Sequence, residues 1–258
     1  MKSIYALMMA AGATVVMTAE AAPVSAAARE AQAEANAYKG AVVNCDMGWA
    51  VDSMYPPLKW TLADRLASRN PREERNNALR IMGAGSHKES DEVARQRMER
   101  NSRALRNEYV RIGQNMKDAG FRVERYAVGT PMAEYVLPHS ASAMRAVRAD
   151  STRKGNKLSS AETIKWEGGR SRLVVLPTTL WYSVPTETGR RLRIERKGFI
   201  YAVRDEVVQS TNNRNYRGTE INKWYFIDGN TDVNTLRSYF PTLPLNIDRP
   251  DTGERPLQ

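Results

Sequence analysis

The chain of 258 residues carries one cysteine, two histidines and four phenylalanines. A single thiol, Cys45, excludes an intramolecular disulfide. Placed in an apolar helix, it is expected to be a small buried hydrophobe. Neither His87 nor His139 lies near it in sequence, so no partner that would activate a nucleophilic thiol is evident. No three His, Cys or carboxylate residues have the spacing of a zinc or catalytic metal site, so neither metal nor cofactor is expected. No glycine loop ahead of a helix offers the phosphate cradle of a nucleotide site. Zinc-finger spacing, an RNA-binding aromatic signature and a helix-turn-helix segment are all missing, which argues against specific nucleic-acid binding. A membrane span needs roughly 20 apolar residues, and no run here reaches that length.

What the chain does have begins with residues 1–26. Lys2 supplies a positive start, Ile4 to Met17 form an apolar and small-residue stretch, and Glu20 interrupts it. Ala19-Glu20-Ala21 or Val24-Ser25-Ala26 then places small side chains ahead of a cleavable bond. This is the layout of a secretory signal peptide, and the expected location is periplasmic or secreted. No cysteine follows the stretch to take a lipid anchor. Residues 27–247 read as one domain with a basic insertion near 145–171, and 248–258 as a flexible tail.

Lys and Arg number 39 against 29 Asp and Glu, a net charge of +10. A hydrophobic content of 41% permits a packed core, while a mean hydropathy of -0.57 implies a broad polar surface. Arg95, Arg97, Arg100, Arg103, Arg106 and Arg111 alternate with Glu92, Glu99 and Glu108, several of them three or four residues apart. That is the spacing of surface ion pairs on a solvated helix face. Arg148, Arg153, Lys154 and Lys157 sit among serines and glycines in the insertion and are candidates for an acidic polymer or lipid surface.

Helical patterns come first along the chain. Residues 27–44 are expected to form a helix with Ala35, Tyr38 and Val42 inward, and Asp46 to cap a short helix carrying Trp49 and Met54. Pro56 forces Tyr55 toward an extended conformation, and Pro57 can begin the next helix. The strongest helix runs from Ser90 to Ala119, with Met98, Leu105, Tyr109, Ile112 and Met116 on one face and Gly120 as its C-terminal cap. Strand patterns follow at 121–128, 134–137, 172–183, 191–204 and 223–229. Pro177 predicts a bulge or an edge position. Asp232 can cap a last short helix, and Pro250 to Gln258 are expected to fray. Helices followed by a mainly antiparallel sheet indicate an α+β fold, with the N-terminal helices on one face of a curved sheet.

Three segments carry a resemblance. They are Asn44 to Pro57 with its Asp, aromatic and Tyr-Pro order, the long helix ending at Ala119-Gly120 and passing into 121–128, and Lys223-Trp224-Tyr225-Phe226-Ile227-Asp228-Gly229 before Phe240-Pro241. In this order the chain resembles the NTF2-like (cystatin-like) superfamily as found in exported bacterial proteins. The resemblance implies a cone-shaped sheet bent around a pocket. Enzymes of that superfamily place a carboxylate or a histidine-carboxylate pair there, and other members bind ligands or partners without catalysis.

Candidate pocket residues are Asp46, Trp49, Asp52, Tyr55, Trp181, Tyr201, Trp224 and Phe226. The first four read either as a pocket mouth or as a capped helix corner, and the strand aromatics suit a core as well as a ligand. Tyr225 and Ile227 fit either a homodimer surface or cover by the C-terminal tail. No catalytic residue can be named, and a Glu134–His139 acid-base pair has little support. The expected function is an exported, non-catalytic module that binds a ligand or an envelope component. The alternative is an isomerase, dehydratase or hydrolase with a buried carboxylate, for which Asp46, Asp52 and Asp228 are the available acids.

Overall fold

The computed structural model describes residues 24–68, 91–138, 169–207 and 220–257. Leu173-Val174-Val175-Leu176 is an unbroken apolar run without alternation, the pattern of a strand covered on both faces. It lies in β3 (Gly169–Pro185), which pairs antiparallel with β4 (Arg191–Val207) in one register from Gly169↔Val207 to Pro185↔Arg191. β1 (Arg122–Val128) and β2 (Ala133–Pro138) lie end to end along the free edge of β3. β5 (Tyr225–Asp228) and β6 (Gly253–Leu257) do the same along β4.

The α+β composition expected from the sequence is present, but the curved cone is not. The sheet is open, is not closed by hydrogen bonds and is not strongly curled. Its inner half is covered on both faces, which corrects the single helical layer. On one face Leu173, Val175, Tyr201, Val203, Tyr225 and Ile227 meet Leu58 of α4 (Pro56–Ser68), Leu236 of α6 (Val233–Tyr239), and Tyr55, Phe240 and Leu243. On the other, Val174, Leu176, Ala202, Tyr126, Val128 and Phe226 meet Ala28, Ala31 and Ala35 of α1 (Ala26–Ala37). A sheet held between two helical layers cannot wrap around a single pocket.

Local chemistry explains the helix boundaries. The Ser25 hydroxyl accepts the Ala28 N–H at 3.0 Å and caps α1. The expected single helix over 27–44 is broken at Tyr38, and α2 (Lys39–Val43) continues beyond it. α3 (Gly48–Asp52) follows, and α4 starts at Pro56 rather than Pro57. The long helix α5 (Asp91–Asp118) packs on α3 and α4 through Leu105, Val51 and Ala63. It ends in a Schellman turn: Gly120 (φ 78) donates to Lys117 and Phe121 donates to Met116. Ile112, expected inside, is exposed, and Gly113 takes the inward position. A Cβ on Gly113 would lie 2.3 Å from the Cys45 carbonyl oxygen, so only glycine allows this approach. Cys45 is buried as expected, although it sits in a left-handed turn (φ 48) between α2 and α3 rather than in a helix.

Tyr55, extended ahead of Pro56, donates its N–H to the Phe226 carbonyl at 3.1 Å, and Phe226 donates to Ser53 at 2.9 Å. This short pairing carries the chain around the outer edge of β5, from the α1 face of the sheet to the α4 face. Pro177 is neither bulged nor at the sheet edge, because it pairs with Phe199 inside the central hairpin. Its carbonyl accepts from Gly129, so its missing N–H points to the gap between β1 and β2, where no ladder bond is lost. The tail expected to fray supplies β6, pairing Arg193 to Lys197 with Leu257 to Gly253.

Candidate functional site

A cleft of about 770 Å³ opens between the α2–α5 helices and the strands β1, β3 and β4. Its walls include Trp49, Tyr109, Phe121, Tyr126, Phe199 and Phe226, with Leu180, Ile200 and Met116 between them. Tyr38 stacks on Trp49 with ring centroids 5.0 Å apart and meets Phe226 edge-on at 5.4 Å, fixing one wall. At the rim, the turn after β5 presses on β4. A Cβ on Gly229 would meet the Phe199 carbonyl oxygen at 2.2 Å.

Tyr126 is the most buried phenol in the cleft wall at 8% exposure, and burial pushes it up to about 12. Its hydroxyl has no hydrogen-bond partner among the described residues. Burial, then the nearby Asp228 charge, raises Tyr109 as well. Both phenols therefore remain protonated donors at neutral pH.

The acids around the cleft are all occupied. Asp46 accepts the Gly48 N–H at 3.1 Å in a turn. Asp52 receives the Arg106 Nε–H between its two oxygens, 3.0 Å from each. Asp228 is exposed and accepts the Asn230 N–H at 2.7 Å. Asp232 caps α6 by accepting from Thr235, and those hydrogen bonds hold its carboxyl below the usual range. Glu254 pairs with Arg196 at 3.4 Å.

Of the eight candidate pocket residues, only Trp49 and Phe226 line the cleft. Tyr55 and Tyr201 are fully buried in the α4-side core. Trp224 is buried beneath the Arg204 guanidinium, whose carbon lies 4.6 Å from the ring centre. Trp181 lies on the outer half of the sheet, where it donates to Glu195 at 3.0 Å. Tyr225 and Ile227, candidates for a homodimer face, are core residues covered by the chain after α6. Glu134 is engaged by Arg172, while His139 and His87 fall outside the described residues. So do Arg148, Arg153, Lys154 and Lys157. Among the described residues no cluster of three His, Cys, Asp or Glu could hold a metal.

Tyr109, Phe121, Tyr126 and Phe199 were legible in the sequence as helix-stripe or strand residues, but not as one wall. Their convergence depends on the close contact of Gly113 with Cys45 and on the register of β1 with β3.

Comparison with known proteins adds no relative: no protein-family model, curated protein or solved structure matches the chain. With the open sheet, this overturns the NTF2-like resemblance.

Proposed function

We propose that this protein is an exported, non-catalytic module whose cleft binds a small, largely apolar molecule bearing a hydrogen-bond acceptor. The aromatic cleft carries the reading: its wall is apolar, and Tyr126 offers an uncommitted hydroxyl to a ligand's acceptor. The enzymatic alternative receives no support from Asp46, Asp52 or Asp228, each engaged in a turn or an ion pair. The leader at the N-terminus supports export. Of its two cleavage motifs, Ala19-Glu20-Ala21 preserves the Ser25 cap, whereas cutting after Ala26 would remove the first helical turn's anchor.

Native mass spectrometry of the protein purified from its own host tests both parts. The expected result is a mature chain beginning at Ala22 with a molecule retained non-covalently, and loss of that molecule in Ala50→Trp, which fills the cleft. A cytoplasmic full-length chain, or conversion of the retained molecule during incubation, would defeat the reading.

A further inference from the structure

The outer half of the β3–β4 hairpin has a second surface, on the face opposite the cleft residues Tyr126, Thr178 and Leu180. Residues opposite one another in register share a face, and alternate residues along a strand share it as well. Arg125, Trp181, Glu195 and Arg255 therefore form one row across β1, β3, β4 and β6. The contacts agree. The Arg125 guanidinium lies 4.7 Å over the Trp181 ring, Trp181 donates to Glu195, and Arg255 pairs with Glu195 at 3.0 Å.

Neighbouring rows on this face hold Arg122 and Arg193 on one side and Lys197 on the other, with Arg191 at the hairpin end. Arg193 grips the bulge residue Glu124 through Nε and Nη at 2.9 and 2.6 Å. Arg191 donates to the Ser183 side chain and to the Gly120 carbonyl. Six exposed cations thus face two carboxylates, leaving four positive charges in excess. Arg122, Arg125 and Lys197 form no ion pair among the described residues.

We infer that this face docks a linear polyanionic polysaccharide, its carboxylates or sulfates set against the arginine rows. The charge excess supplies attraction, and guanidinium forks match planar anions. Trp181 and the hairpin hold the arginines in place, so little side-chain entropy is lost on binding. Single-stranded nucleic acid would need open aromatic faces for base stacking, and the ring of Trp181 is occupied by Arg125. A membrane surface would favour exposed apolar anchors, and none of the large exposed hydrophobic residues stands on this face. The surface meets the cleft only at Lys197, which also lines the cleft, and Arg122 and Arg125 test it independently of the ligand proposed there.

Titration of the full mature chain with polygalacturonate by calorimetry, at low and high salt, tests the proposal. The expected result is saturable binding that weakens steeply with salt, and a loss of about fivefold or more in affinity for the double variant R122Q/R125Q. The control R100Q/R103Q removes equal charge from exposed positions on α5 and should leave affinity within about twofold. Equal loss in both variants, no binding by the parent chain, or tighter binding of oligo-dT or anionic vesicles than of polygalacturonate would each overturn it.

Discussion

Gly169 to Pro177 and Thr178 to Pro185 are two halves of one strand, paired with one partner in one register, yet they occupy opposite physical regimes. In the inner half, Leu173, Val174, Val175 and Leu176 are wholly buried because helices cover both faces. In the outer half one face borders the cleft and the other presents the arginine rows. Backbone pairing is common to both, so the difference arises from the covering layers. The inner half supplies the core and holds the register. The outer half is thereby free to use its side chains for recognition.

Each half also buries a carboxylate, and the two are held differently. Burial opposes the charge of Glu206, but hydrogen bonds from Arg172, Arg170 and Arg204 bring its pKa down to about 2. Arg204 reaches on to Glu30 of α1, so this cluster fastens a helix to the end of the sheet. In the outer half the Arg255 hydrogen bond, against burial and with help from Trp181, holds Glu195 below the usual range. The inner carboxylate joins three arginines of the central strands, and the outer one depends on β6, a short edge strand.

The sharpest way to break the contrast is Leu173→Ala, which leaves a cavity in a fully buried site. We expect a loss of about 4 kcal/mol in urea unfolding. A loss under about 1 kcal/mol would mean that the inner half is not the stabilising core.

Next in size is Glu206→Gln, which leaves three arginines around a neutral amide and should cost about 3 kcal/mol at neutral pH. Because the folded pKa of about 2 lies below the ordinary carboxylate value, this stabilisation is present at neutral pH. It is lost as pH falls from about 5 toward 2. The variant should therefore flatten that part of the stability-versus-pH curve. An unchanged slope between those limits would contradict the network's electrostatic role.

The smallest effect belongs to the outer half. Leu192 is 40% exposed, and Leu192→Ala should change stability by less than about 0.5 kcal/mol. A loss comparable to that of Leu173→Ala would erase the distinction between the halves.

Much of the local structure was readable because its causes are local. Gly120 and Asp232 cap helices through atoms within a few residues of themselves, and Tyr55 is extended because Pro56 follows it. The long helix and the central strands were likewise evident in their side-chain periodicity. The candidate site was far less legible. Tyr55, Tyr201 and Trp224 have the composition of a binding pocket, but aromatic residues fill cores equally well. Pro177 looked like an edge residue because nothing in sequence shows that β1 and β2 meet end to end opposite it.

By itself, then, the sequence determined the caps at Gly120 and Asp232, the extended Tyr55, the long helix and the central strands, and that no metal-ligand spacing or phosphate loop is offered. Those properties depend on near neighbours and side-chain type. Only the tertiary structure decided that the sheet stays open between two helical layers, that Tyr126 and Trp49 share a cleft, and that six cations gather on one face. The physical reason is that burial and the neighbours of a charge are set by register and packing between residues as distant as Arg125 and Arg255.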